Sequence, residues 1–310
     1  MQRLDISAII LTFNEERHIR RCLRNISDFA ETIYVVDSFS TDRTLEIARQ
    51  FDNVVILQNK WVNYATQFNW ALQNAPVKTT WVLRLDADEY LTPELKLEIE
   101  ERLPTLPEKY SGVVFTRRRV FLGRTIRRGM PQVKLLRLFR YGMGICEVRM
   151  MDEHIQLTEG EAIEFEHEFA DDNLYNLSLW AQKHIGYAIR EAVDMLDIEL
   201  NLTGAAETDE DKRISAQASR KRMRKHQYVK QPLFWRAFGY FLYRYFIRLG
   251  FTEGKEGFLW HFLQGWWYRT LVDAKIYEIK KACGKDKEKI CRYLEEEYHI
   301  SVEKINTGGG

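Results

Sequence analysis

The sequence predicts an α/β fold: a doubly wound, mostly parallel sheet in the N-terminal half, followed by an aromatic-rich helical region. Four β-rich apolar runs between Ile6 and Leu85 are each followed by apolar residues at helical spacing. Strands that alternate with helices in this way pair in parallel. The crowding of Phe, Tyr and Trp between Leu233 and Trp267 sets the C-terminal region apart.

Residues 6–12 are the first strand, and Ile19, Cys22, Leu23 and Ile26 after it share one helical face. Residues 33–36 are a short buried strand; Ser40 or Thr41 then offers a hydroxyl to cap a helix running to Gln50. Residues 54–57 make the third strand, and Phe68, Ala71, Leu72 and Ala75 the stripe of the next helix. Residues 81–85 are the fourth strand, and Pro93 opens a helix carrying Leu95, Ile99 and Leu103. Further on, residues 132–140 read as a strand, residues 176–200 as a long helix and residues 285–299 as a charged terminal helix. The expected division is a catalytic domain over 1–205, then a basic linker and helical region over 206–310.

Composition bounds the function. A chain of 310 residues with 45% hydrophobic and 29% charged residues can bury a full core, which excludes wholesale disorder. A formal net charge of +1 gives no reason to expect a nucleic-acid partner. The apolar run near the N-terminus is too short for a signal-peptide core or a membrane span, so a cytoplasmic setting is expected. Cys22, Cys146, Cys283 and Cys291 have no CxxC spacing and read as reduced packing residues.

In a parallel sheet, ligands bind where strands end at their carboxyl edges. Here those positions are polar: Thr12 to Glu16 after the first strand, Asp37 and Ser38 after the second, Asp86 to Glu89 after the fourth. Asp86 and Asp88, one residue apart after a buried strand, can hold a divalent cation with oxygen ligands, although one of them could instead cap the following helix. Asp37 at the neighbouring strand end favours the cation, because acids gathered at one edge repel unless something positive joins them.

The segments Ser7 to Glu16, Val35 to Thr44 and Leu83 to Glu89, in this order, resemble family 2 glycosyltransferases of the GT-A fold, a Rossmann-like architecture. Within that family the chain is most similar to bacterial enzymes of lipopolysaccharide-core or lipid-linked polysaccharide synthesis. The resemblance implies an inverting transfer from a nucleotide-diphosphate sugar, a UDP-sugar by preference, to an acceptor hydroxyl. It places Thr12, Asn14, Glu15, Asp37 and Gln67 at the nucleotide and Asp86 at the ribose or the metal. Asp88 of the DxD motif would ligate Mn2+ or Mg2+. A general base is expected on a later loop, for which Asp152 is the first choice and Glu153 the second. Arg137 could meet the donor diphosphate through a forked hydrogen bond, or be the outer face of a strand.

The basic run from Arg220 to Lys225 and the aromatics after it, interrupted by Arg236, Arg244 and Arg248, suit a headgroup layer. Residues 212–270 are therefore expected to dock peripherally on an anionic membrane, at the inner face of the plasma membrane, where a glycolipid or lipid-linked acceptor would lie. The alternative is a helical pair that buries its aromatics against the catalytic domain or a second subunit, as in a homo-oligomer. Two rival functions remain to be separated. A nucleotidyltransferase is disfavoured by the lack of a glycine-rich phosphate loop, and a catalytically silent membrane scaffold has no need of the acidic rim.

Overall fold

In a computed structural model of the chain, residues 3–147, 154–203 and 225–301 are described. Contacts divide the chain into two compact units, Met1–Arg127 with Pro131–Tyr175, and Arg128–Met130 with Asn176–Gly310. The long helix that the sequence reading assigned to the end of the first domain groups with the second unit.

The first unit begins with the expected alternation: β1 (Leu4–Thr12), α1 (Ile19–Ile26), β2 (Ala30–Asp37), α2 (Thr44–Ala48), β3 (Val54–Gln58), α3 (Tyr64–Asn74) and β4 (Trp81–Arg84). Their strands lie in the order β3-β2-β1-β4, all parallel. Side chains alternate between faces along a strand. Ile6, Ala8 and Ile10 of β1 accordingly pack with Ile19 and Leu23 of α1 and Ile47 of α2, while Ile9 packs with Ala65, Phe68 and Ala71 of α3. Helices thus cover both faces, and each fully buried Ile or Phe in these layers contributes roughly 1.5–3 kcal/mol.

After β4 come β5 (Glu89–Leu91), α4 (Pro93–Arg102), β6 (Tyr110–Phe121), β7 (Arg124–Ile126), β8 (Val133–Arg140), β9 (Gly144–Cys146), β10 (Ile155–Leu157) and β11 (Glu161–Asp172). The sheet continues past β4 through β8, β6, β11 and β5, with β7 paired to β6. β8 runs antiparallel to both β4 and β6, and β11 parallel to β6. β9 and β10 form a separate antiparallel hairpin.

Helix starts follow local chemistry. Asn63 accepts from the Thr66 amide at 2.8 Å to cap α3, and Thr92 caps α4 with Pro93 in its first turn. Helix α2 differs from expectation: it begins at Thr44, and Asp42 accepts from the Thr44 amide at 2.9 Å. Ser40 does not cap it: its hydroxyl oxygen accepts from the Asn14 amide at 2.8 Å and its proton goes to Asp37.

The second unit is helical: α5 (Leu177–Leu200), α6 (Trp235–Leu242), α7 (Gly254–Trp260), α8 (Tyr268–Cys283) and α9 (Lys287–Tyr298), with π-helical turns at Tyr243–Ile247 and His261–Trp267. Asn176 caps α5 by accepting from the Leu179 amide at 3.0 Å. Ala188, Ala192 and Val193 of α5 and Val272 and Ile279 of α8 are fully buried. Phe238, Phe241, Tyr245, Phe258, Phe262 and Trp266 form a cluster of ring contacts. Among the described residues, no helix is long and apolar enough to cross a membrane.

Candidate active site at the carboxyl edge of the sheet

The loops after β1 and β2 are stitched together by short polar side chains. Asp37, fully buried at the end of β2, accepts from Thr12 Oγ1 at 3.1 Å, Ser40 N at 2.9 Å and Gln58 Nε2 at 3.3 Å. Asn14 takes a left-handed conformation (φ 56°), which asparagine tolerates better than most residues, and its Oδ1 accepts from Thr41 N at 2.8 Å. Glu15 N donates to Thr44 Oγ1 at 2.8 Å. Gln67 is fully buried: it donates to Ser38 Oγ at 3.1 Å and accepts from Asn59 Nδ2 at 2.9 Å, so it braces the pocket wall from within.

The segment after β4 carries the acids. Asp86 Oδ1 accepts from Tyr64 OH at 2.5 Å, and its Oδ2 lies 3.5 Å from Arg137 Nη2. Enclosure of the site pushes Asp86 upward, but the Arg137 and Arg84 charges and the Tyr64 hydroxyl outweigh it and hold the carboxyl below its ordinary range. Asp88 sits differently. Burial first, then the charges of Asp171 and Asp86, push it up to about 7, and its Oδ2 accepts from a neutral amide, Asn173 Nδ2, at 3.1 Å. One carboxylate is thus held as an anion while its neighbour two residues away is pushed toward its protonated form, and added positive charge would favour the anion at both.

Glu89 turns inward, where Arg137 Nη2 donates to it at 2.5 Å and it accepts from the Asp86 amide at 2.9 Å. Arg137 is buried in this pair rather than on an outer strand face. The end of β11 closes the rim: Asp172 N donates to Asp88 O at 3.1 Å, which brings Asp171 alongside. His18 Nε2 accepts from the Leu174 amide at 2.9 Å, so its proton is on Nδ1, 2.5 Å from Glu15 Oε2. Tyr175 OH donates to Asn14 O at 2.7 Å.

The structure therefore gathers Thr12, Asn14, Glu15, Asp37, Gln67, Asp86, Asp88 and Arg137 along one edge. Asp152 and Glu153 lie outside the described residues. On either side of them the described chain is held together as a neck: Glu147 N donates to His154 O at 3.0 Å, and Asn69 of α3 exchanges hydrogen bonds of 2.9 and 2.8 Å with the Cys146 backbone. Sequence reasoning missed Tyr64, Arg84, Asp171 and Asn173. Among the described residues no group of three or more His, Cys, Asp or Glu side chains is arranged to hold a metal ion. A cation here would rest on fewer protein ligands, with water and phosphate oxygens completing its shell, as Mg2+ commonly does.

The family model "Glycosyl transferase family 2" matches residues 7–158, a span containing every candidate residue from Thr12 to Glu153. The chain carries a family 2 glycosyltransferase domain. An "uncharacterized glycosyltransferase" of Rickettsia bellii is 40% identical over 95 residues, which are 31% of this chain and 31% of that relative. The chain thus spans about a third of the length of this relative. The "lipopolysaccharide core biosynthesis glycosyltransferase LpsC" of Rhizobium meliloti is 29% identical over 147 residues, 46% of this chain and 53% of LpsC. Among solved structures, S. aureus TarS 1-349 in complex with UDP-GlcNAc aligns over 95% of this chain and 91% of its own, at 16% identity and a TM-score of 0.43.

Proposed function

We propose that this chain is an inverting, metal-dependent glycosyltransferase that moves a sugar from a UDP-sugar to a hydroxyl of a glycolipid or lipid-linked saccharide in cell-envelope synthesis. The observation that carries the reading is the state of the Asp86/Asp88 pair at the carboxyl edge of β4, inside a family 2 domain. Asp86 is held as an anion by Tyr64 and Arg137, whereas burial first, then the charges of Asp171 and Asp86, push Asp88 up to about 7.

Mn2+ or Mg2+ bound at Asp88 and Asp86 would supply positive charge to the diphosphate that leaves with the nucleoside. The chain's own residues do the rest. The stitched loops around Asp37, Thr12 and Asn14 form the floor for the nucleotide. Tyr64 and Arg137 fix the Asp86 carboxylate from two sides. Asn173 orients Asp88, and the Asp152–Glu153 loop delivers the base that takes the acceptor hydroxyl's proton. Inversion follows the family resemblance.

The name of LpsC supports a lipopolysaccharide-type acceptor. Peripheral docking on an anionic membrane is supported by the exposure of Trp235 (73%) and Ile247 (72%) in the second unit. Titration with UDP, GDP and dTDP, each with and without Mn2+, tests the reading. UDP binding should strengthen with Mn2+ and lose that dependence in Asp88→Asn, and sugar release from the matching UDP-sugar should require wild-type Asp88. Binding of no nucleotide at all would leave only a scaffold role. Tight triphosphate binding with pyrophosphate release would make the chain a nucleotidyltransferase.

A further inference from the structure

Two arginines of the second unit, the deeply buried Arg236 and the partly buried Arg269, have carboxylate partners. Arg236 pairs with Asp273 at 2.5 Å and Arg269 with Glu191 at 2.9 Å. Arg244 is as buried as Arg236, yet among the described residues it has no ion pair, and its Nε and Nη2 have no hydrogen-bond partner. Those two nitrogens lie on one edge of the guanidinium, the edge that offers two parallel N–H bonds to an oxyanion. His261 is fully buried nearby with neither ring nitrogen bonded.

Glycines position both groups. A methyl added at Gly250 would come within 2.6 Å of His261 Nε2 and 2.9 Å of the Arg244 carbonyl, and one at Gly129 (φ +81°) would strike the His261 ring. Arg244 lies in one π-helical turn and His261 opens the other, and such turns recur at functional sites. A buried guanidinium without a counter-charge, beside an unsatisfied imidazole, costs the fold stability that an apolar pair would not.

We propose that Arg244 and His261 form a binding site for a phosphate group. The Nε–Nη2 edge takes two phosphate oxygens, and a ring N–H of His261 takes another. A planar carboxylate would be used up by the guanidinium fork, whereas a tetrahedral phosphate keeps an oxygen for the histidine. Tyr243, Phe246, Ile247 and Phe251, close in sequence to Arg244, are about half exposed or more, which suits a phosphate carried on a lipid. The site lies wholly in the second unit and does not depend on glycosyl transfer.

The test uses the full chain in phosphate-free buffer, with inorganic phosphate added against chloride at equal ionic strength, and separately with phosphatidylcholine vesicles with or without phosphatidic acid. Wild type should melt on the order of 5 °C higher with saturating phosphate, or bind phosphatidic acid vesicles about tenfold more tightly than Arg244→Lys or His261→Gln does. Asp88→Asn should respond like wild type, which separates this site from a diphosphate pocket in the first unit. A response to inorganic phosphate assigns a soluble ligand, and one confined to phosphatidic acid assigns a lipid. No response in wild type, or a full response in either variant of the site, overturns the proposal; should one variant fail to fold, the other decides.

Discussion

The Tyr64 hydroxyl donates to Asp86 Oδ1 at 2.5 Å while accepting from Arg84 Nε at 2.9 Å. A residue at the start of α3 therefore fixes the direction of a carboxylate at the end of β4, and burial together with the Asp86 charge keeps the phenol protonated as the donor. Tyr64→Phe should cost about 1–3 kcal/mol of stability, because it strips Arg84 of an acceptor and Asp86 of a donor. Mn2+-dependent UDP affinity should fall by about tenfold, as read by calorimetric titration.

The hairpin neck offers a second measurement. Asn69→Ala removes both hydrogen bonds to the Cys146 backbone without touching the nucleotide side of the site. Under the proposal that Asp152 or Glu153 is the base, kcat should drop by roughly 10- to 100-fold while UDP affinity stays within about twofold, since misplacing a catalytic group has effects of this order. An unchanged kcat would move the base elsewhere.

In the second unit, Asp273 serves two groups: it pairs with Arg236 at 2.5 Å and accepts from Phe234 N at 2.7 Å. Asp273→Ala should destabilise by about 3–5 kcal/mol, because it leaves a buried guanidinium unpaired. Arg236→Met in the same chain should restore part of the loss. Urea denaturation followed by far-UV circular dichroism reads both.

Histidine burial sets a pH dependence. Burial first, then the Arg244 charge, hold His261 down to about 4, against an ordinary value of 6.5 in the unfolded chain. Between these values the unfolded chain binds a proton that the folded chain refuses, so stability falls as pH drops from 6.5 toward 4 and is unaffected by this group above 6.5. The urea midpoint in phosphate-free buffer should be lower at pH 5 than at pH 7, and His261→Gln should shrink that difference.

For the membrane surface, Trp235→Ser combined with Ile247→Ser removes two of the most exposed apolar side chains of the second unit. Flotation with vesicles containing anionic lipid should drop several-fold while the melting temperature stays within a degree or two, because neither side chain is in the core. Flotation equal to wild type would assign these side chains to protein contact.

Strands β1 to β4 were legible because each is an apolar run with its own helix, and the acids at their ends are local signals that survive without any tertiary information. The far half of the sheet was harder to read. β11 carries Glu164, Glu166 and Glu168 among its apolar residues, and its register against β6 shifts between Glu164 and Glu168, which breaks the two-residue alternation. Asp86 and Asp88 could be found by spacing. Tyr64 and Asn173, which touch them, come from a helix and from the chain after β11, and neither a lone Tyr nor a lone Asn marks its sequence as part of a site. Arg137 was legible as a residue but not as a buried partner of Glu89, because strand facing depends on which neighbours a strand acquires.

The neck between β9 and β10 has a practical consequence for engineering. With Glu147 N bonded to His154 O at 3.0 Å and Cys146 pinned to α3, the two described ends of the intervening segment are held at a fixed separation. Under the function proposed above, chimaeras exchanged between these two residues would test whether the segment that carries Asp152 and Glu153 selects the acceptor hydroxyl.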